Sequence, residues 1–169
     1  MSIDFALLAP VPLVHLESAL TIAAKQPYVA FGSRKYDLFE AIDRDRGAEP
    51  VAVLIYPSHD EDRVEFDYKV SWAGWYVGSC SDQEAKFADQ RAGRRPPSTK
   101  AYPNDNASFW ATFWHVAALT RLPEKEHREI RDLNNFRTGT EREQVAPRGP
   151  ERILVPFGFT MPPRPGHDT

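Results

Sequence analysis

The chain has 169 residues, of which 41% are hydrophobic and 12% aromatic, with a formal net charge of -3 and a single cysteine. This length fits one domain with a core of its own. The charge excludes bulk electrostatic attraction to nucleic acid, and the lone Cys80 excludes an internal disulfide and points to a reducing compartment.

The N-terminal stretch MSIDFALLAPVPLVHLESAL has Asp4 where a signal peptide needs basic residues, and Pro10, Pro12, His15 and Glu17 break its apolar run. No apolar run approaches the roughly 20 residues of a membrane helix, so a soluble, cytoplasmic protein with no membrane partner is expected. Asp4 to Ala9 reads as a strand, and Pro12 opens a helix to Lys25 with Leu13, Leu16 and Leu20 at helical spacing. Tyr28 to Phe31 is a second strand. Ser33 is placed to cap a helix from Arg34 to Arg46, with Tyr36, Phe39 and Ile42 inward and Gly47 as its stop.

Val51 to Tyr56 is an unbroken apolar run, the pattern of a strand covered on both faces. After the acidic turn 59–62, Val64, Phe66, Tyr68 and Val70 alternate with Glu65, Asp67 and Lys69, the pattern of a half-buried strand. It leads into Trp72 to Cys80, either as a hairpin about Ala73-Gly74 or as a bulged continuation. The hairpin would put Trp72 and Trp75 on one face and Tyr76 on the other.

Ser81 to Glu84 matches a capping box, so a helix from Asp82 to Arg91 follows, ended by Gly93. Residues 94–108 show no periodicity and read as a long loop. Phe109 to Leu119 reads as a central strand, with Trp110 and Trp114 on one face. A charged helix is expected from Glu124 to Leu133, a polar loop over 134–150, a closing strand from Arg152 to Phe157 and a frayed proline-rich tail after Gly158. The order of elements predicts an α+β fold, a small mixed β-barrel with flanking helices, as one domain over residues 1–158.

The histidines at 15, 59, 115, 127 and 167 form no close pair and no HExxH, and Cys80 has no ligand partner at a recognised spacing. Neither a metal nor any other cofactor is expected. No GxSxG and no phosphate-cradling glycine loop is present, so the sequence carries no sign of hydrolase machinery. Charge is uneven: residues 1–80 carry seven Lys/Arg against twelve Asp/Glu, and residues 81–150 carry twelve against ten. Arg91, Arg94, Arg95 and Lys100 form a basic run suited to a phosphate backbone or to solvation alone. Trp72, Trp75, Tyr76, Trp110, Phe113 and Trp114, with Tyr36 and Tyr56, either fill a small barrel or line a pocket in which a flat ligand stacks.

Four segments in order resemble the PUA-like superfamily, most closely its EVE branch. They are ALLAP, FGSRKYDLFEAI, VAVLIYPS and FWATFWHVAALTRLPEKEHREIRDL. The resemblance implies a PUA-like pseudobarrel whose pocket takes one flipped, often modified, base. Its motif positions are Gly32, Ser33, Arg34, Tyr36, Tyr56 and Ser58. Trp72, Trp75, Trp110 and Trp114 join them from the aromatic pattern, and Arg34, Arg91, Arg94, Arg95 and Lys100 are the backbone-binding candidates. The expected function is a non-catalytic nucleic-acid-binding module, for DNA or RNA. Two alternatives stand beside it. One is a small hydrolase of modified nucleosides, with Lys35, Glu40 or Glu65 as acid or base; the other is an accessory component that meets a protein partner.

Overall fold

Period-two alternation sorts the strands' side chains onto two faces of one sheet, and each face has its own core. Our computed structural model describes residues 3–58, 68–102, 109–141, 149–156 and 158–166. The acidic turn and the alternating residues from Val64 to Asp67 lie outside the described residues, as does Phe157.

The strands are β1 (Phe5–Pro12), β2 (Val29–Ser33), β3 (Val51–Ser58), β4 (Lys69–Val70), β5 (Trp72–Cys80), β6 (Thr112–Arg121), β7 (Arg128–Glu129) and β8 (Glu151–Leu154). The helices are α1 (Leu13–Ala23), α2 (Tyr36–Arg46) and α3 (Gln83–Arg91). Six strands form a curled half-barrel sheet in the order β2-β6-β5-β3-β1-β8, with β1 and β3 parallel and the other neighbours antiparallel. Strands β4 and β7 make a separate two-stranded ladder. The expected α+β class is therefore present, and the expected small mixed β-barrel is met in part, as a curled half-barrel sheet.

Phe5, Leu7, Ala9 and Val11 of β1 and Val51, Val53 and Ile55 of β3 point to one face, where they meet Leu16, Ala19 and Ile22 of α1 and Phe39 and Ile42 of α2. Ala6, Leu8, Leu54 and Tyr56 point to the other, under Val70, Leu122, Ile130, Leu133 and Ile153. A third, small cluster holds Ala30 and Phe113, with Cys80 and Trp110 against it.

Several elements differ from the sequence reading. The helix expected over Glu124 to Leu133 is two 3-10 turns, Glu124–Glu126 and Ile130–Asp132, divided by β7. There the backbone pairs with β4 instead of coiling. The stretch expected as a loop over 94–108 is described over 94–102, and there it has structure: Arg94 O accepts from Ala30 N on the open edge of β2, and Pro97–Ala101 forms a 3-10 turn. The tail is held against the sheet, since Phe159 and Met161 pack on the second core and Trp75 Nε1 donates to Pro162 O at 2.8 Å.

No hairpin interrupts β5. It runs through Gly74 as a bulged continuation, with register breaks between Ala73 and Trp75 and between Tyr76 and Gly78. A Cβ built on Gly74 would sit 2.5 Å from Val116 Cγ1 and 3.0 Å from Ala117 O, so the glycine is there for the close approach of β6. The strand parity puts Trp72 and Tyr76 together in the first core, which corrects the expectation of opposite faces.

Candidate functional site

The C-terminal residues of β1, β2 and β3 converge on a cavity of about 590 Å³. That is within the range of roughly 300–1,000 Å³ usual for small-ligand sites. Strands β2 and β1 stand four places apart in the sheet, so only the curl lets both line it. Pro10, Val11 and Pro12 come from β1, Phe31, Gly32 and Ser33 from β2, and Ser58 from β3. His15 of α1, Thr99 and Tyr102 beyond α3, and Trp110 before β6 complete the wall, with Gly149 and Pro150 at the rim.

Trp110 is positioned from two sides. Its indole lies on Gly32, where a built Cβ would fall 2.2 Å from Cδ1. Lys86 Nζ, from α3, donates to Trp110 O at 2.5 Å. Phe109 meets the Trp110 ring edge-on at 4.7 Å between centroids, and the Arg34 guanidinium stacks on Phe109 at 4.5 Å. Elsewhere on the wall the His15 ring meets Tyr102 edge-on at 5.3 Å, and its Nδ1 lies 2.6 Å from Ser98 Oγ. Ser33 is buried and its Oγ accepts from Lys35 N at 3.1 Å. Lys35 Nζ donates to Pro150 O at 2.8 Å and so straps the 149–150 segment to the rim.

Of the predicted ligand-binding residues, Gly32, Ser33, Arg34, Ser58 and Trp110 meet at this cavity. The other five do not line it. Tyr36 is exposed at the start of α2, and Tyr56 lies in the second core. Trp72 and Trp114 are 1% exposed and belong to the first core, where Trp114 stacks on Phe39. Trp75 is half-buried beneath Arg164. The pairing of Trp110 with Trp114 fails because β6 starts at Thr112, so strand parity does not extend to Trp110.

Of the predicted backbone contacts, Arg91 and Lys100, with Lys25, line a second concavity of about 670 Å³. It adjoins the first, sharing Arg95, Thr99 and Tyr102 with it. Arg95 itself is 8% exposed, stacks on Phe113 and donates from Nη1 to Ala30 O at 2.8 Å, so it holds the loop to β2. Arg94 is likewise turned inward, with Nη1 donating to Tyr28 Oη at 3.0 Å and to Asp89 Oδ1 at 3.1 Å.

Behind the Trp110 wall lies a group the sequence reading missed. Cys80, Asp89 and His115 come together from β5, α3 and β6. Cys80 therefore has partners, contrary to expectation; 26 residues separate Asp89 from His115, a spacing no motif would have revealed. Burial pushes the Cys80 thiol up to about 12, helped by its hydrogen bond to Asp89. Burial also opposes ionisation of Asp89, but hydrogen bonding from His115, Cys80 and Arg94 prevails and holds the carboxyl near 2. His115 presents the same atom, Nε2, to both Sγ and Oδ2. A nucleophilic relay needs one ring nitrogen for the thiol and the other for the carboxylate, so this trio is not one.

Fold and cavity together define a small α+β half-barrel with a ligand-sized, mainly apolar cleft flanked by a basic groove. No family model, no curated protein and no solved structure matches the chain. Among the described residues, no helix is long and apolar enough to cross a membrane.

Proposed function

We propose that the chain is a non-catalytic module of PUA-like kind that binds nucleic acid and takes one flipped or modified base into the cavity. The observation that carries this reading is the convergence of Gly32, Ser33, Arg34 and Ser58 with Trp110 on one cleft of about 590 Å³. The first four come from two sequence segments that resemble the EVE branch, and 25 positions separate Ser33 from Ser58. Trp110 and Tyr102 offer ring faces, and stacking on such faces is worth roughly 1–3 kcal/mol per base. The hydroxyls of Ser33 and Ser58 suit the polar edge of the base. Extrusion from a helix costs a few kcal/mol, which stacking and edge hydrogen bonds offset. The neighbouring groove supports the same reading, because Lys25, Arg91 and Lys100 follow the cleft with positive charge that a phosphate backbone can track.

The test is an electrophoretic shift series at low salt over single- and double-stranded DNA and RNA, with and without modified bases. Binding that weakens in Trp110→Ala is expected. If no nucleic acid shifts, the reading fails. If mass spectrometry instead detects turnover of a modified nucleoside, the hydrolase alternative replaces it.

A further inference from the structure

Helix α3 is built inside out. Lys86 and Asp89 are its buried residues, at 4% and 3% exposure, while Phe87 is 41% exposed. Carboxylates are almost never buried so fully unless they are paired or hold a cation. Lys86 is accounted for by Trp110 O. Asp89 faces Cys80 and His115. Sγ lies 3.2 Å from Oδ2 and 3.7 Å from Nε2, and Oδ2 lies 2.6 Å from Nε2.

We infer that Cys80, Asp89 and His115 form a binding site for one divalent transition-metal ion of the zinc class. The donor set is one thiolate sulfur, one imidazole nitrogen and one carboxylate oxygen, which zinc takes at about 2.3, 2.0 and 2.0 Å. In a tetrahedral site those bond lengths put the ligand atoms roughly 3.3–3.6 Å apart. The two separations involving Sγ are already close to that range. Only Oδ2 and Nε2 must part, by less than about 1 Å, and a small rotation of the Asp89 side chain supplies it.

The surroundings suit a ligand set held from outside. The free oxygen of Asp89, Oδ1, accepts from Tyr28 Oη at 3.2 Å and from Arg94 Nη1 at 3.1 Å, which orients Oδ2 toward the other two donors. The Tyr28 ring stacks on His115 at 4.1 Å and fixes the plane of the imidazole. All three ligands sit on regular elements, and the register break after Tyr76 sets Gly78 opposite His115. Cys80 is half-buried, which leaves one side for the ion to enter and for a water as fourth ligand. On binding, the ion takes the place of two hydrogens. The thiol proton leaves to solvent. The Nε2 hydrogen that His115 directs at Asp89 Oδ2 moves to Nδ1 in a neutral ring or leaves to solvent from a charged one, so that Nε2 ligates while Nδ1 carries the remaining proton. Thiolate and carboxylate then balance the two positive charges. The ion would lock α3 onto β5 and β6 directly behind Trp110, since Cys80 and Trp110 share the small Ala30–Phe113 cluster. The site does not depend on what the cleft binds.

The test uses the full chain, treated with chelator and titrated with cobalt(II) alone. The chain has one cysteine, so a thiolate-to-cobalt charge-transfer band reports on Cys80 and nothing else. One equivalent of cobalt is expected to produce that band with the visible bands of a four-coordinate ion, and zinc is expected to remove both. Cys80→Ser should abolish the charge-transfer band, and Tyr28→Phe should weaken uptake about tenfold through the carboxylate it orients. The wild-type spectrum is decisive on its own if a variant fails to fold. Absence of saturable uptake, or uptake with no charge-transfer band, overturns the inference. So does a zinc-induced rise in melting temperature that persists in Cys80→Ser.

Discussion

The Trp110 indole rests on the backbone of Gly32, so near that a Cβ at position 32 would lie 2.2 Å from Trp110 Cδ1 and 2.4 Å from Cγ. A side chain of any size at 32 would therefore push the ring off its seat. Gly32 also pairs with Phe113, so the backbone has little freedom to retreat. Gly32→Ala should shift the ring into the cleft or away from it. On the proposed function, oligonucleotide affinity then falls at least about tenfold, near 1.4 kcal/mol. Fluorescence anisotropy measures this, and an affinity equal to wild type would show that Trp110 is not part of the binding wall.

Trp110 and Trp114, four positions apart, should give opposite phenotypes. Trp114 is 1% exposed and stacked on Phe39 at 5.7 Å, so Trp114→Ala opens a large cavity and should cost about 3–5 kcal/mol in a denaturant melt. Trp110 is half-buried against the small cluster of Ala30 and Phe113. Trp110→Ala should cost much less stability and weaken binding roughly 5- to 150-fold, the equivalent of 1–3 kcal/mol of stacking. Equal losses of stability in the two variants would contradict the division of roles.

Local pattern was enough to read most of the elements, because proline, glycine and alternation act within a few residues. Pro12 and Gly47 mark real helix boundaries, and the apolar run of β3 is covered on both faces, with Val51, Val53 and Ile55 in one core and Leu54 and Tyr56 in the other. Phase was harder to read than period. Helix α1 is apolar nearly all round, and its buried residues are His15, Leu16, Ala19 and Ile22, whereas Leu20, expected inward, is 39% exposed. His15 could have been noticed as a polar residue inside an apolar helix, and Tyr102 as an aromatic in the basic run. The Cys80 group could not, since its members meet only through the pairing of β5 with β6 and the inverted face of α3. In the same way Arg94 and Arg95 look like solvated charges in sequence and become internal anchors only once tertiary partners exist.

Those two anchors divide the basic run into residues that should and should not govern salt dependence. Lys25, Arg91 and Lys100 are exposed and line the groove. Replacing any one by alanine should reduce the slope of log affinity against log salt by about 0.7–0.9 and leave the melting temperature unchanged. Arg95→Ala should instead unpin the loop from Ala30 O and lower the melting temperature. A salt titration of the three groove variants checks this, and an unchanged slope in all three would remove the groove from the proposed interface.

The fold should also show an acid-sensitive contact between β8 and α2. Arg152 Nη1 donates to Asp45 Oδ2 at 2.8 Å while its guanidinium lies over Phe5 at 3.8 Å and Phe136 at 4.6 Å, so the pair joins β8 to the end of α2. The hydrogen bond from Arg152 holds the Asp45 carboxyl below its ordinary value of 3.8. A carboxyl depressed by folding binds fewer protons when folded than when unfolded. Its contribution is therefore complete above the ordinary value and is lost as the pH falls through the lower, folded one. Denaturant melts at about pH 5 and about pH 3 should show a larger loss for wild type than for Asp45→Asn, which has no charge to lose. Asp45 is solvent-exposed, so the difference is expected to be small and to shrink further in high salt. Identical pH responses in the two proteins would mean that Arg152 is held by Phe5 and Phe136 alone.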